Sequence, residues 1–259
     1  MIPDETNFFD EIGVGAMLYQ DAINVRCSRR TYLPKLIDYG DINKLRSLID
    51  EYNQKACLNM QLVIDNGDAF NGLLKSYGMF KGVKNYIGMI ENKNDTHSQE
   101  KLGYYGELIV LQATGMRLGT CWVAGTFDRK SCPFKLVEHE SIACVITFGS
   151  VPSERTMKEK LIYSMTHRKT KTAEELYEAD TPVPSWFKSG ITAVQKAPSA
   201  VNRQPVTFTY KNDVVTASVK DIAISDMAID LGIAKLHFEL GAGGGVWGWG
   251  NGASLNRRM

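Results

Sequence analysis

The chain has 259 residues, a length that predicts one large domain or two small ones. Hydrophobic residues make up 44% and charged residues 23% of the sequence, which predicts an ordinary globular core and excludes a mainly disordered chain. The formal net charge is only +1. Binding to nucleic acid would need a local basic patch that this composition does not show, so we expect no nucleic-acid partner.

The sequence also lacks the usual signs of export and membrane insertion. The apolar run at 142–146 is far too short to span a bilayer, and the first five residues, Met-Ile-Pro-Asp-Glu, do not resemble a signal peptide. The five cysteines are odd in number and no pair has CxxC spacing, which favours reduced thiols over disulfides or a zinc site. We therefore expect a cytoplasmic protein with no membrane association.

The predicted elements of the first part alternate between helix and strand. Residues 15–25 are mildly amphipathic, and a helix is expected around 41–53, followed by a strand at 58–64. Residues 65–100, rich in Gly, Asn and Lys, predict loops and short helices. Apolar residues at three-to-four spacing predict a packed helix over 102–117, and 141–148 has the length and character of a strand.

The composition changes after this strand. Thr172-Ala173-Glu174-Glu175 fits a capping box that opens a short helix, and a second helix is expected over 186–196. Residues 206–210 and 214–219 predict a β-hairpin, and 229–240 predicts an amphipathic helix that runs into a glycine-rich tail.

Two parts of the chain resemble one another. Asn59-x-Gln61 and Asn202-x-Gln204 both lead into a predicted strand, and each is followed by a helix and then by a glycine segment with Trp122 or Trp247. This similarity indicates two related halves with unequal insertions. The alternative is that any two strand–helix units of an α+β protein look somewhat alike.

Several familiar motifs are absent or misplaced. Residues 243–248 match the dinucleotide pattern GxGxxG, but a predicted helix precedes them where that motif needs a strand. His139-Glu140 begins like HExxH, but Ala143 occupies the second histidine position. No GxSxG or Walker sequence occurs.

The basic segment Arg26-Cys27-Ser28-Arg29-Arg30 is a stronger candidate for a site. In an extended conformation Arg26, Ser28 and Arg30 would share one face, where two guanidinium groups and a hydroxyl would suit a phosphate or another anionic oxygen. The alternative is a solvated basic loop.

The segment Ala197-Pro198-Ser199-Ala200-Val201-Asn202-Arg203-Gln204-Pro205 is a second candidate. A turn of this composition can present backbone and amide groups to a ligand. It can also be no more than a helix stop followed by a strand start.

These segments resemble motifs of the FMN-dependent nitroreductases. Residues 26–30 resemble the family's Arg-x-Ser-x-Arg signature, and residues 197–205 resemble its Ala-Pro-Ser-x-x-Asn-x-Gln-Pro motif. Leu118-Gly119-Thr120-Cys121-Trp122 resembles the loop that closes the family's central helix, with Arg117 in place of a small residue. Val206 stands where the family often has an aromatic residue.

The order of the motifs points to a particular branch of that family. In ordinary nitroreductases, which are homodimers, the Pro-Ser-Asn motif precedes the Gly-Thr-Trp segment, whereas here it follows. The chain is similar to the Thermotoga-type putative nitroreductases, in which two fused halves mimic that dimer. The resemblance implies an α+β nitroreductase-like fold of two diverged half-repeats, with mixed or antiparallel sheets flanked by helices. The halves would be residues 1–168 and 169–259, forming one compact unit with one complete flavin site.

The resemblance also implies the site. Arg26 and Ser28 would hold the FMN phosphate and ribityl oxygens, Arg30 would lie near the pyrimidine edge of the flavin, and residues 120–125 would line one ring face. The implied cofactor-binding residues are Arg26, Cys27, Ser28, Arg30, Gly119, Thr120, Cys121, Trp122, Ala124, Gly125, Arg168, Pro198, Ser199, Ala200, Asn202 and Gln204. His167 to Lys169 resembles a basic segment that supplies further phosphate contacts.

The implied activity passes electrons from NAD(P)H through FMN to a small acceptor such as a nitroaromatic or a quinone, with no side chain acting as a nucleophile and no metal. The alternatives are an FMN-binding protein without turnover, which would sense or store FMN, and a flavin-free structural protein. The physiological acceptor, the choice between NADH and NADPH, and the oligomeric state stay open, although a fused pair could work as a monomer.

Overall fold

A computed structural model describes residues 19–71, 78–166, 168–220 and 227–257. The elements of its first half begin with two helices and a β-hairpin and continue with a helix and a second hairpin. They are α1 (Tyr19–Val25), α2 (Tyr39–Ala56), β1 (Asn59–Val63), β2 (Asn85–Asn92), α3 (Ser98–Gly115), β3 (Gly119–Val123) and β4 (Glu140–Gly149).

Helix α4 (Met157–Thr166) follows β4, and the second half then repeats the order of helix, hairpin, helix and hairpin, with one additional strand at its start. Its elements are β5 (Tyr177–Ala179), α5 (Ser185–Val194), β6 (Val206–Lys211), β7 (Val214–Val219), α6 (Met227–Gly241), β8 (Val246–Trp247) and β9 (Ser254–Asn256).

The sheet topology confirms two related halves. In each half a helix leads into a hairpin, a second helix follows, and a second hairpin completes the sheet. The strand orders are β1-β2-β4-β3 and β5-β6-β7-β9-β8, so the two sheets match once β5 is set aside. All pairs are antiparallel except β5 with β6. The fold is therefore α+β with two half-repeats, as expected.

The sequence similarity that suggested the repeat is only partly in register with it. Trp122 and Trp247 lie on the equivalent strands β3 and β8. Asn59 is the first residue of β1, whereas Asn202 lies four residues before β6 begins. The two Asn-x-Gln segments are therefore not structurally equivalent.

The halves share one core, in which α3 packs against α6. The largest hydrophobic cluster joins Leu102 and Ile109 of α3 to Ile233 and Leu236 of α6. Every residue of α6 from Ile229 to Glu239 is buried, so the prediction that this helix is amphipathic was wrong. A helix that crosses the centre of a molecule has no solvent-facing stripe.

Two glycines allow the backbones of α3 and α6 to touch. A β-carbon at Gly103 would lie 2.1 Å from the carbonyl oxygen of Ile229, and one at Gly232 would lie 1.9 Å from that of Glu100. Both obstacles are backbone atoms, which cannot rotate aside.

We expect Gly232→Ala to destabilise the protein by about 1–3 kcal/mol, because the added methyl group forces the two helices apart. Gly125→Ala is the matched control, since a β-carbon there meets nothing within 4 Å. Urea unfolding of both variants measures the effect. Equal stability of the two variants would contradict the close helix crossing.

The other predicted elements show a mixed outcome. The helices at 41–53, 102–117 and 186–196 and the strands at 58–64, 141–148, 206–210 and 214–219 are present with shifted ends. The region 65–100, expected to form loops and short helices, contains β2, which was missed, and its residues 72–77 lie outside the described residues.

The capping box at 172–175 opens only a 3₁₀ turn, Glu174–Leu176, before β5. The Glu175 carboxylate does accept a hydrogen bond from the Thr172 N–H, at 2.8 Å. Across the described part of the chain, every helix is too short or too polar to cross a bilayer.

Candidate functional site

The basic segment after α1 is extended and runs beside β3. Ser28 forms an isolated parallel bridge with Thr120, and the Arg29 N–H donates to the Thr120 carbonyl at 2.8 Å. Because successive side chains of an extended segment point in opposite directions, Arg29 points inward and is only 6% exposed. Arg26, Ser28 and Arg30 line a surface cleft on the other face. The alternation that the sequence predicted is present.

Arg29 is held by Glu159 in the first turn of α4. The guanidinium Nε lies 3.2 Å from Glu159 Oε1, and its other nitrogens donate to the carbonyls of Pro152 and Glu154. The same carboxylate accepts from the backbone N–H groups of Arg30 at 2.7 Å and Thr31 at 3.1 Å. Glu159 therefore fixes the backbone that presents Arg30 to the cleft.

Glu159 is also one partner of a capping box. Its carboxylate accepts from the Thr156 N–H at 2.8 Å, and the Thr156 hydroxyl accepts from the Glu159 N–H at 3.2 Å. Burial alone would raise the pKa of the Glu159 carboxyl, but the hydrogen bonds from Arg30, Arg29 and the capping residue outweigh it and hold the pKa at about 2.

The proline-bounded segment forms a tight turn between α5 and β6. The Ser199 hydroxyl accepts from the Gln204 N–H at 2.9 Å, and both carboxylate oxygens of Asp230, on α6, lie 3.3 Å from the Ala200 N–H. Val201, Asn202 and Gln204 have positive φ angles of 47°, 52° and 46°. A β-branched residue with positive φ is strained, and such strain clusters at ligand sites.

This turn has no counterpart in the first half. The corresponding connection, between α2 and β1, consists of Cys57 and Leu58 alone, whereas residues 195–205 join α5 to β6. Only the second half supplies a turn of this size.

The basic segment and the proline turn form opposite parts of one cleft with a volume of about 310 Å³. Of the predicted site residues, the cleft brings together Arg26, Cys27, Ser28, Arg30, Pro198, Ser199 and Asn202. Ala200 belongs to the same turn but is not part of the cleft wall. Segments about 170 residues apart in the sequence therefore meet at one surface.

The cleft wall is cationic. Among the described residues, it includes Arg26, Arg30, Arg155 and Lys196 and no aspartate or glutamate. The Arg30 guanidinium has no hydrogen-bond or ion-pair partner within the described ranges, although its backbone is fixed by Glu159. Arg26 is about nine-tenths buried and donates to the Lys196 carbonyl at 3.2 Å, while its Nε has no hydrogen-bond partner. Unused donors of this kind suit an anionic ligand.

The Gly119–Gly125 segment does not reach the cleft wall, contrary to expectation. Residues 119–123 form strand β3 rather than a loop, and the basic segment covers the edge of this strand. Thr120 and Cys121 are buried, and a β-carbon at Gly119 would lie 2.9 Å from Arg29 Cγ. Burial raises the pKa of the Cys121 thiol despite its hydrogen bond with Ser28, so this thiol is not an accessible nucleophile.

Trp122, Ala124 and Gly125 also lie away from the wall. The Trp122 indole donates to Glu107 on α3 at 2.8 Å, and the Ala124 carbonyl accepts from Arg129. Ala124 and Gly125 are exposed.

Two further predicted site residues, Gln204 and Arg168, form hydrogen bonds around the proline turn and do not line the cleft. Gln204 is 5% exposed, and its amide oxygen accepts from the Lys171 N–H at 2.8 Å. The Arg168 side chain is exposed and does not line the cleft, but its carbonyl accepts from the Asn202 amide at 2.8 Å. His167 lies outside the described residues.

Sequence reasoning missed several residues of the site. Arg155 and Tyr163 line the cleft, and the Arg155 guanidinium lies 4.7 Å from the centre of the Tyr163 ring. Glu159 had a visible signal, the T-x-x-E capping pattern at 156–159. Lys196 had none beyond its position next to the proline segment.

These features define the class of protein: it has two α+β half-repeats that pack together through a helix pair, and residues of both line one cationic cleft. A family model described as "Putative TM nitroreductase" matches residues 19–242. The chain belongs to this nitroreductase family.

One solved structure in particular has the same fold over nearly the whole chain. A crystal structure of a putative nitroreductase from Thermotoga maritima is 21% identical, covers 95% of this chain and 96% of its own, and has a TM-score of 0.64. An FMN-dependent nitroreductase from Clostridium difficile (19% identity, TM-score 0.42) covers 57% of this chain and 96% of its own. A Desulfovibrio desulfuricans nitroreductase in complex with FMN (17% identity, TM-score 0.40) covers 56% and 96%. No curated protein matches the sequence.

Proposed function

We propose that this protein is an FMN-dependent NAD(P)H oxidoreductase that passes electrons to a nitroaromatic, a quinone or a similar small acceptor. The observation that carries the proposal is the single cleft in which Arg26, Ser28 and Arg30 face the Pro198–Asn202 turn. Family membership supports the proposed reaction class, and the cleft supports the proposed position of the cofactor.

The residues of the cleft fit the charged end of FMN. A phosphate monoester carries up to two negative charges and three acceptor oxygens, and the described residues of the wall offer guanidinium donors and no carboxylate. Among the described residues, Arg26 Nε has no hydrogen-bond partner, and the Arg30 guanidinium has neither a hydrogen bond nor an ion pair, so both can donate to a ligand in the cleft.

The roles that we propose for the residues are those that the family resemblance implies. Arg26 and Ser28 would hold the phosphate and the ribityl oxygens, and Arg30 would place a positive charge beside the electron-accepting ring. The strained turn at 198–202 would limit the cleft from the opposite side. Bound FMN would supply the two-electron chemistry that no side chain of the cleft can perform.

The remaining parts of the proposal concern the whole chain. All five cysteines are free, which supports a reducing compartment such as the cytoplasm. The fused halves would work as a monomer, with the boundary between residues 168 and 169 and without a nucleic-acid or membrane partner.

An anaerobic titration tests the function. We expect the purified protein to carry a visible flavin absorbance, to lose it when NADPH or NADH is added without oxygen, and to regain it when menadione or nitrofurazone follows. A flavin absorbance that persists with both reductants would replace the proposal with a non-catalytic FMN-binding protein. A colourless protein that FMN does not stabilise thermally would exclude both.

A further inference from the structure

A buried pair of titratable residues lies behind Arg26 and has no role in the function proposed above. Glu107 of α3 and His237 of α6 are both fully buried, with His237 Nε2 3.0 Å from Glu107 Oε1. The second carboxylate oxygen accepts from the Trp122 indole at 2.8 Å. Arg26 completes the cluster, with its Nε 3.7 Å from Glu107 Oε1.

The hydrogen-bond partners of His237 determine how many protons the pair holds. Nδ1 lies 3.1 Å from the carbonyl oxygen of Ala193, which can only accept, so Nδ1 carries a proton. Nε2 faces the carboxylate. If Glu107 were ionised and His237 neutral, two acceptors would face each other in a buried site with no proton between them, which is strongly unfavourable. The pair therefore holds one further proton, on Nε2 or on the carboxyl group.

This proton decides the charge of the cluster. With it, Glu107 and His237 are neutral together, whichever of them carries it. Arg26 then keeps its whole positive charge, although a glutamate is its nearest acidic neighbour. The distances agree with a neutral pair. Arg26 Nε lies 3.7 Å from Glu107 Oε1, which is beyond hydrogen-bond distance, and it has no hydrogen-bond partner among the described residues.

Other charged groups near the pair have their own partners. On α6, Asp230 lies beside the Ala200 N–H, Lys235 binds Glu100, and Glu239 accepts from the Tyr104 hydroxyl. The facing part of α5 contributes a carbonyl, and β3 contributes an indole. Among the described residues, Glu107 is the carboxylate within ion-pair distance of Arg26, and His237 is its buried titratable partner.

We propose that His237 is a positioning residue for anion binding: it shares with Glu107 the one proton that leaves the pair neutral, and it thereby leaves the charge of Arg26 available to the cleft. This inference rests on the proposed function in one respect, that Arg26 binds the phosphate of FMN. The residues of the pair come one from each half, so the binding charge of the first half depends on a histidine of the second.

Three variants separate this role from a structural one. In His237→Gln the carboxylate of Glu107 keeps its charge and cancels that of Arg26, so FMN should bind about tenfold more weakly. In Glu107→Gln, His237 becomes neutral and accepts from the new amide, and the cluster keeps the wild-type charge. The double variant also keeps it. We therefore expect FMN affinity close to wild type for Glu107→Gln and recovery of affinity in the double variant.

The measurement is the FMN dissociation constant of the full chain at pH 7, obtained from flavin fluorescence. Glu239→Gln is the control, because it removes a buried carboxylate from α6 without touching the pair. A merely structural network would make Glu107→Gln at least as harmful as His237→Gln and the double variant no better than either. That ranking, or wild-type affinity in His237→Gln, would overturn the inference.

The protonation of His237 can be measured without FMN. Nitrogen NMR of the imidazole at pH 7 should show a proton on Nδ1 in the wild type and a neutral Nδ1–H ring in Glu107→Gln. A wild-type His237 ring with a proton on Nε2 and none on Nδ1 would refute the inferred protonation of the pair, even if His237→Gln did not fold. If the wild type showed the expected ring protonation but did not bind FMN, the proposed function would fail, and the inferred link to anion binding would fail with it.

Discussion

Replacing Arg30 by alanine should weaken FMN binding by roughly 10- to 100-fold while leaving the stability of the fold unchanged. The guanidinium of Arg30 faces the cationic cleft, and its removal breaks no hydrogen bond or ion pair to another described residue. Charge-assisted hydrogen bonds contribute about 1.5–3 kcal/mol each, which sets the size of the expected loss. Arg26→Ala should weaken binding to a similar extent, but it also removes the bond to the Lys196 carbonyl.

The measurement has two parts. Flavin absorbance per unit of protein and an FMN titration give the loss of binding, and thermal unfolding of the FMN-free chain gives the stability. Arg46→Ala is the control, since this exposed arginine of α2 bonds only to Asn43 among the described residues and lies away from the cleft. Wild-type affinity in Arg30→Ala would remove Arg30 from the site.

The basic segment illustrates how much of the site the sequence could predict. Alternation in an extended chain was enough to separate Arg26, Ser28 and Arg30 from Arg29. The partner of Arg29 could not be found in the same way. Glu159 is recognisable locally as part of a capping box, but nothing in the sequence says that its carboxylate also accepts from the backbone at 30 and 31.

Strand β2 shows why part of the fold was missed. Its residues from Tyr86 to Ile90 are buried without alternation, because β2 lies between β1 and β4 in the interior of the sheet. Gly88 interrupts the apolar run, and a glycine at such a point in a sequence indicates a loop. In the structure a β-carbon at Gly88 would lie 2.3 Å from the Phe134 ring, so the glycine makes room for an aromatic side chain from a distant loop.

The buried pair behind Arg26 was invisible for a related reason. Glu107 and His237 lie on helices that the sequence predicts, yet polar residues in a helix ordinarily face solvent. Only the close crossing of α3 and α6 brings them together, and that crossing depends on Gly103 and Gly232. Packing between elements that are distant in the sequence therefore determines the charge of the site, and no local sequence pattern predicts this packing.

Glu159→Gln should have the largest effect on stability, about 3–5 kcal/mol at pH 7, because it leaves the Arg29 guanidinium buried without a counter-charge. The wild type should show the corresponding pH dependence. The pKa of Glu159 is lowered from 4.5 to about 2, so its contribution is complete above pH 4.5 and is lost as the pH falls towards 2. The lowered pKa corresponds to about 3 kcal/mol.

Urea unfolding at pH 7 and at pH 3 measures both quantities, with Glu154→Gln as the control because its side chain is exposed. The stability difference between wild type and Glu159→Gln should shrink at pH 3, and a constant difference would contradict the assigned role. Glu159→Gln should also weaken FMN binding, since the backbone of Arg30 loses its charged acceptor. Arg30→Ala, by contrast, should lose FMN at full stability. The two variants together separate the group that binds the anion from the group that holds it in place.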